Sequence, residues 1–91
     1  MDTIIFDSEL KFRKHLIKNY NDIQNIILFE DRLDDVIYFY CFTNNELILS
    51  AKKLSIKDFE YYSNIYQKLF KKYELSIDYK TNNPKTLKLC K

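Results

Sequence analysis

The sequence predicts an α+β fold: two layers, with a largely antiparallel sheet of about five or six strands and two amphipathic helices on one face, in the order β-α-β-β-β-α-β-β. Three observations carry this expectation. Val36 to Ala51 reads VIYFYCF, then Thr43-Asn44-Asn45-Glu46, then LILSA, so two β-branched and aromatic runs flank a pair of residues that tolerate positive φ. Two stretches, residues 8–20 and 55–73, repeat apolar residues at spacings of three and four. Short polar breaks separate these pieces, and residues 1–91 leave room for a single domain only.

In chain order, Thr3 to Phe6 is a short strand, and Asp7-Ser8 supplies a helix cap. In the first helix Leu10, Phe12, Leu16, Ile17 and Tyr20 share a wide stripe, and Glu9 and Arg13, four apart, pair at its edge. Ile26 to Glu30 is a second strand, followed by the polar loop Asp31-Arg32-Leu33-Asp34-Asp35. In the hairpin, pairing Thr43 with Glu46 sets Phe42 opposite Leu47, Tyr40 opposite Leu49 and Tyr38 opposite Ala51 on one face. The other face then carries Cys41 with Ile48, Phe39 with Ser50 and Ile37 with Lys52. The first set is wholly apolar or aromatic, so Tyr38, Tyr40, Phe42, Leu47 and Leu49 are expected against the helices; the reverse would turn Tyr38 and Tyr40 outward as a stacking platform. Ser55 and Asp58 form a capping pattern for the second helix, Leu54 and Phe59 a hydrophobic staple, and Lys71 and Lys72 load its last turn. Leu75, Ile77 and Tyr79 alternate as a half-buried strand, and Thr86 to Cys90 is a weaker last one. The β-α-β-β order recurs across two halves that break near Asn44, without a residue-level repeat.

Composition bounds the function. Ile, Lys, Asn, Tyr and Phe dominate while glycine is absent, the signature of an AT-rich genome, so the excess of Lys over Arg carries little meaning by itself. Residues 1–35 hold five basic and eight acidic groups and residues 36–91 ten and five, which makes the C-terminal half the anion-facing one. The start, MDTIIFDSE, lacks a basic leader and a long apolar core, and no apolar run reaches membrane-spanning length. A cytoplasmic protein with free thiols at Cys41 and Cys90 is expected, although one bridge between them is the alternative.

A chain without glycine holds no phosphate-binding loop, no dinucleotide fingerprint and no nucleophile elbow, since each needs a residue without Cβ. One His and two distant Cys do not make a zinc site, and nothing positions His15 beside Cys41 or Cys90. No enzyme activity, metal or cofactor is therefore expected. Three surfaces remain. Glu30, Asp31, Asp34 and Asp35 form an acidic loop suited to a hard cation or a basic partner, with a solvated turn as the plain reading. Lys52, Lys53, Lys57, Lys68, Lys71 and Lys72 with Tyr61 make a basic, partly aromatic face that RNA would meet through phosphates and stacked bases; an ordinary solvated helix face is the plain reading. Ile37, Phe39, Cys41 and Ile48, on the sheet face left without helices, are the expected protein-binding surface.

The α-β-β-β-α segment, residues 8–73, resembles the element order of the double-stranded-RNA-binding domain. That resemblance implies phosphate contacts near the start of the second helix, where Lys52, Lys53 and Lys57 stand. The family's small Ala and Gly positions and its Gly-Pro-x-His loop are missing. In size and composition the chain also resembles small inhibitors from phages and mobile elements, anti-CRISPR proteins among them. The expected function is a non-enzymatic protein-binding module, an inhibitor of a host factor or a homodimerising adaptor. The alternative is a nucleic-acid-binding domain that uses the second helix.

Overall fold

The computed structural model describes residues 2–50 and 54–81. Strand β1 (Asp2–Phe6) leads to helix α1 (Glu9–Lys18), a 3₁₀ turn (Tyr20–Asp22) and strand β2 (Ile23–Asp31). Strands β3 (Val36–Thr43), β4 (Glu46–Ser50) and β5 (Leu54–Ser55) follow, then a 3₁₀ turn (Ile56–Asp58), helix α2 (Phe59–Tyr73) and strand β6 (Ile77–Thr81). The expected strand at Thr86 to Cys90 lies outside the described residues, as do Ala51, Lys52 and Lys53.

The mixed α+β class with two helices matches the sequence reading; the sheet is mixed, and its sixth described strand is the short β5 ahead of α2, which was not expected. Its order is β1-β4-β3-β2-β6, with β5 pairing β3. The centre, β2-β3-β4, is antiparallel, but β1 runs parallel to β4 and β6 runs parallel to β2. The cause is the helices. A helical crossover brings the chain back over the sheet in its original direction, so β1-α1-β2 and β4-α2-β6 each join strands of one sense. Each crossover passes over two strands of the sheet order.

The hairpin register follows the turn. Tyr40 pairs with Leu49, Cys41 with Ile48 and Phe42 with Leu47, the expected register, but Asn44 and Asn45 do not take the positive φ expected of them. The buried hydroxyl of Thr43 organises that turn, accepting the amides of Asn45 and Glu46 at 3.3 and 3.0 Å. Beyond Ser50 the register shifts. Ile37 lies opposite Leu54 instead of Lys52. Continuing the original register would set a lysine ammonium beside the buried Ile37, whereas the shift sets an apolar side chain there.

The faces of the hairpin are the reverse of the expectation. Ile37, Phe39, Cys41 and Ile48 are all 0% exposed and pack with Phe12 and Leu16 of α1, Tyr66 of α2, and Ile26 and Leu28 of β2. Tyr38, Tyr40, Phe42, Leu47 and Leu49 take the second face and are half-buried. The physical reason is the hydroxyl: a tyrosine under the helices needs a partner for its OH, which Ile, Phe and Cys do not. The rings of Phe39 and Tyr66 stack at 5.6 Å, and that of Phe12 lies 6.3 Å from Phe39. On β2 both faces are buried, since Ile27 and Phe29 alternate to the second face and are also nearly inaccessible. That is why Ile26-Ile27-Leu28-Phe29 is a continuous apolar run.

The helices differ in detail from their sequence signals. Ser8 caps α1, its hydroxyl accepting from the Lys11 amide at 3.1 Å. The buried stripe is Phe12 and Leu16 together with Glu9, while Leu10 and Tyr20 are exposed. Glu9 and Arg13 do pair, at 3.2 Å, but Glu9 is buried and its Oε2 also accepts the Tyr66 hydroxyl at 2.6 Å. The tie between the helices is the Tyr66–Glu9 hydrogen bond, and the Arg13 end of the ion pair stays partly exposed. Ser55 caps the 3₁₀ turn ahead of α2, accepting from the Lys57 amide at 3.3 Å, so the α-helix itself starts only at Phe59. With no glycine in the chain, left-handed backbone falls to other residues: Glu74 closes α2 at φ 54°, and Asp35 ends the β2–β3 loop at φ 56°.

Candidate nucleic-acid interface

Helix α2 buries Tyr66 and half-buries Phe59, Tyr62, Ile65, Leu69 and Tyr73 against the sheet. That fixes its opposite side as the outer face of the molecule. Lys57, Tyr61, Asn64, Lys68 and Lys71 follow one another at spacings of four, three, four and three, so they form one stripe, and every one is exposed. From Tyr61 to Lys71 it runs roughly 15 Å along the axis of α2, and Lys57, in the 3₁₀ turn, precedes it. Lys72 lies at its margin with its ammonium 5.4 Å from the centre of the Tyr73 ring.

Among the described residues, no carboxylate reaches ion-pair distance of Lys57, Lys68 or Lys71. Their charge is directed to solvent. Tyr61 is 63% exposed and its ring meets Tyr62 edge to face at 5.0 Å, which sets an exposed aromatic ring between Lys57 and Asn64 on the stripe. A shallow depression of about 260 Å³ between Asn64, Gln67, Lys68 and Lys71 places two amides between two cations. Amides donate and accept at once, ammoniums bind phosphate, and an aromatic ring accepts a stacked base. Lys52 and Lys53, the remaining members of the expected basic set, lie outside the described residues.

The acidic loop is put to a different use. The Asp31 carboxylate turns inward, where Oδ1 accepts the amides of Leu33 and Asp34 at 3.0 and 3.2 Å and so folds the β2–β3 connection. Glu30 receives the Arg32 guanidinium at 2.7 Å. Asp34 and Asp35 are exposed. Among the described residues, no three His, Cys, Asp or Glu side chains converge as a metal site would require.

The four residues expected on a protein-binding sheet face lie in the core, which removes them as a contact surface. Cys41 is buried with them, and desolvation pushes its thiol up to about 12. Its Sγ lies 3.8 Å from the carbonyl of Phe42, while His15 packs on Phe6 and hydrogen-bonds with Asn19. The exposed apolar residue beside the second face is Ile5, 61% exposed, which is in register with Leu49. It escaped the sequence reading because β1 was not known to border β4. No known protein family, curated protein or solved structure matches the chain.

Proposed function

We propose that the chain is a non-catalytic binding module that engages single-stranded nucleic acid along the outer face of α2. The observation that carries this reading is the exposed stripe of Lys57, Lys68 and Lys71, which join no ion pair among the described residues, with the exposed Tyr61 among them. Surface lysines alone fit any solvated helix. Cations, amides and an exposed ring on one stripe supply phosphate contact, edge recognition and stacking together. Helix α2 is fixed beneath by Tyr66 and Glu9, so the stripe is presented on a rigid element.

Three uncommitted lysines set the expected strength. Neutralising three phosphates of a single strand gives a slope of about −2 in log K against log[salt]. Fluorescence anisotropy with a short labelled oligonucleotide at several salt concentrations measures it. The triple variant Lys57→Glu/Lys68→Glu/Lys71→Glu is expected to abolish binding while the circular dichroism spectrum stays unchanged. Binding that is indifferent to salt, or retained by the triple variant, would refute the reading.

A second reading keeps a protein partner, a host factor or a second copy of the chain, on the second sheet face at Ile5, Leu47 and Leu49. The exposure of Ile5 beside those half-buried leucines favours it. Sedimentation of the purified protein at tens of micromolar, with and without Ile5→Asp, reports on self-association.

A further inference from the structure

At the end of the molecule where the β3–β4 turn meets the last turn of α1, His15, Asn19, Asp22, Asn44, Asn45 and Glu46 surround a cleft of about 450 Å³, floored by Ile4 and Thr43. We propose that this cleft binds a guanidinium group. Its size is that of a small-molecule site, but its lining is polar.

The walls are held in place. Thr43 fixes the turn that carries Asn44, Asn45 and Glu46, and the Gln24 side-chain amide donates to Asn44 Oδ1 from the neighbouring strand. On the opposite wall the Asn19 side-chain amide donates to the His15 carbonyl at 3.0 Å and lies 3.4 Å from His15 Nδ1, which occupies its nitrogen and leaves its oxygen as an acceptor. The acceptors left to the cleft are the Asn19 oxygen and the Asp22 and Glu46 carboxylates.

Two carboxylates, Asp22 and Glu46, line it without an ion-pair partner among the described residues. Strand pairing also sets Asp2 beside Glu46 in the parallel register, which adds a third carboxylate at the edge of the cleft. The last turn of α1, at the negative end of the helix dipole, faces the same space. Guanidinium matches this set better than ammonium. It is planar, carries five donors and can bridge a carboxylate and amide oxygens at once. The cleft selects a cation where α2 selects an anion, so the two surfaces act independently.

Titration of the full chain with acetyl-arginine-amide, followed by the side-chain amide signals of Asn19, Asn44 and Asn45 in ¹⁵N-correlated NMR spectra, tests the assignment. Saturable shifts with a Kd on the order of millimolar are expected, the range that one set of charge-assisted hydrogen bonds supports. Acetyl-citrulline-amide, the neutral isostere, should bind at least about tenfold more weakly, as should arginine to the Asp22→Asn/Glu46→Gln variant. A parallel titration with free arginine separates the sources. Tighter binding of the free amino acid indicates a small-molecule ligand, and equal binding indicates an arginine side chain of a partner. No shift up to about 20 mM, or equal shifts from citrulline and arginine, overturns the proposal whether or not the variant folds.

Discussion

Tyr66 donates its hydroxyl to a carboxylate that is itself buried and paired with Arg13, so one hydrogen bond at 2.6 Å ties α2 to α1 through the core. Burial, reinforced by the Glu9 charge, raises the Tyr66 pKa well above the ordinary tyrosine value near 10. Removing the hydroxyl leaves Glu9 buried with Arg13 alone. Tyr66→Phe is expected to cost about 1.5–3 kcal/mol, measured by urea denaturation. The same tie has a pH signature. A raised folded pKa contributes stability that is complete below pH ~10 and is lost as pH climbs through the folded value. Wild-type stability therefore falls above pH ~10 more steeply than that of Tyr66→Phe, as alkaline denaturation series compare. Cys41, its thiol pushed up to about 12, should resist alkylation at pH 8 in native buffer and react promptly in urea. At this scale the sequence was half legible. The i, i+4 spacing announced Glu9 and Arg13, but their third partner lies 57 residues away and no local pattern could reach it.

Elements show the same division. The β3–β4 register was readable from the two-residue loop at Asn44-Asn45, but its backbone was not: neither asparagine takes positive φ, and the Thr43 hydroxyl holds the loop instead. Which face was covered could not be read by counting apolar residues, because the deciding factor was the desolvation of the Tyr38 and Tyr40 hydroxyls. The basic stripe of α2 was legible from helical spacing alone, since exposure on a helix follows from its buried stripe. The end of α2 was readable at Tyr73, yet its left-handed Glu74 was not, because the chain has no glycine to mark such a position. A residue with a Cβ is strained there. Glu74→Gly is expected to stabilise the protein by about 0.5–1 kcal/mol, a rise in melting temperature of roughly 3–6 °C. Glu74→Ala, which keeps the Cβ, should give no such gain.

For the whole molecule, the interleaved crossovers determine what is exposed. Both helices lie over one face of the sheet, which buries the middle of β3 and turns the basic stripe of α2 outward. Strand order was illegible because it depends on which strands each helix spans, a long-range choice that local periodicity does not encode. The acidic loop illustrates the consequence: clustered in sequence, its carboxylates are divided in space between a turn, an arginine and solvent. Location is therefore the sharpest test of the functional account. In an NMR titration of the isotopically labelled protein with a short single-stranded RNA, the backbone amides of Lys57, Tyr61, Asn64, Lys68 and Lys71 should move together and in proportion to saturation. Shifts confined to β1 and β4 around Ile5, Leu47 and Leu49, or no shifts at low salt, would contradict it.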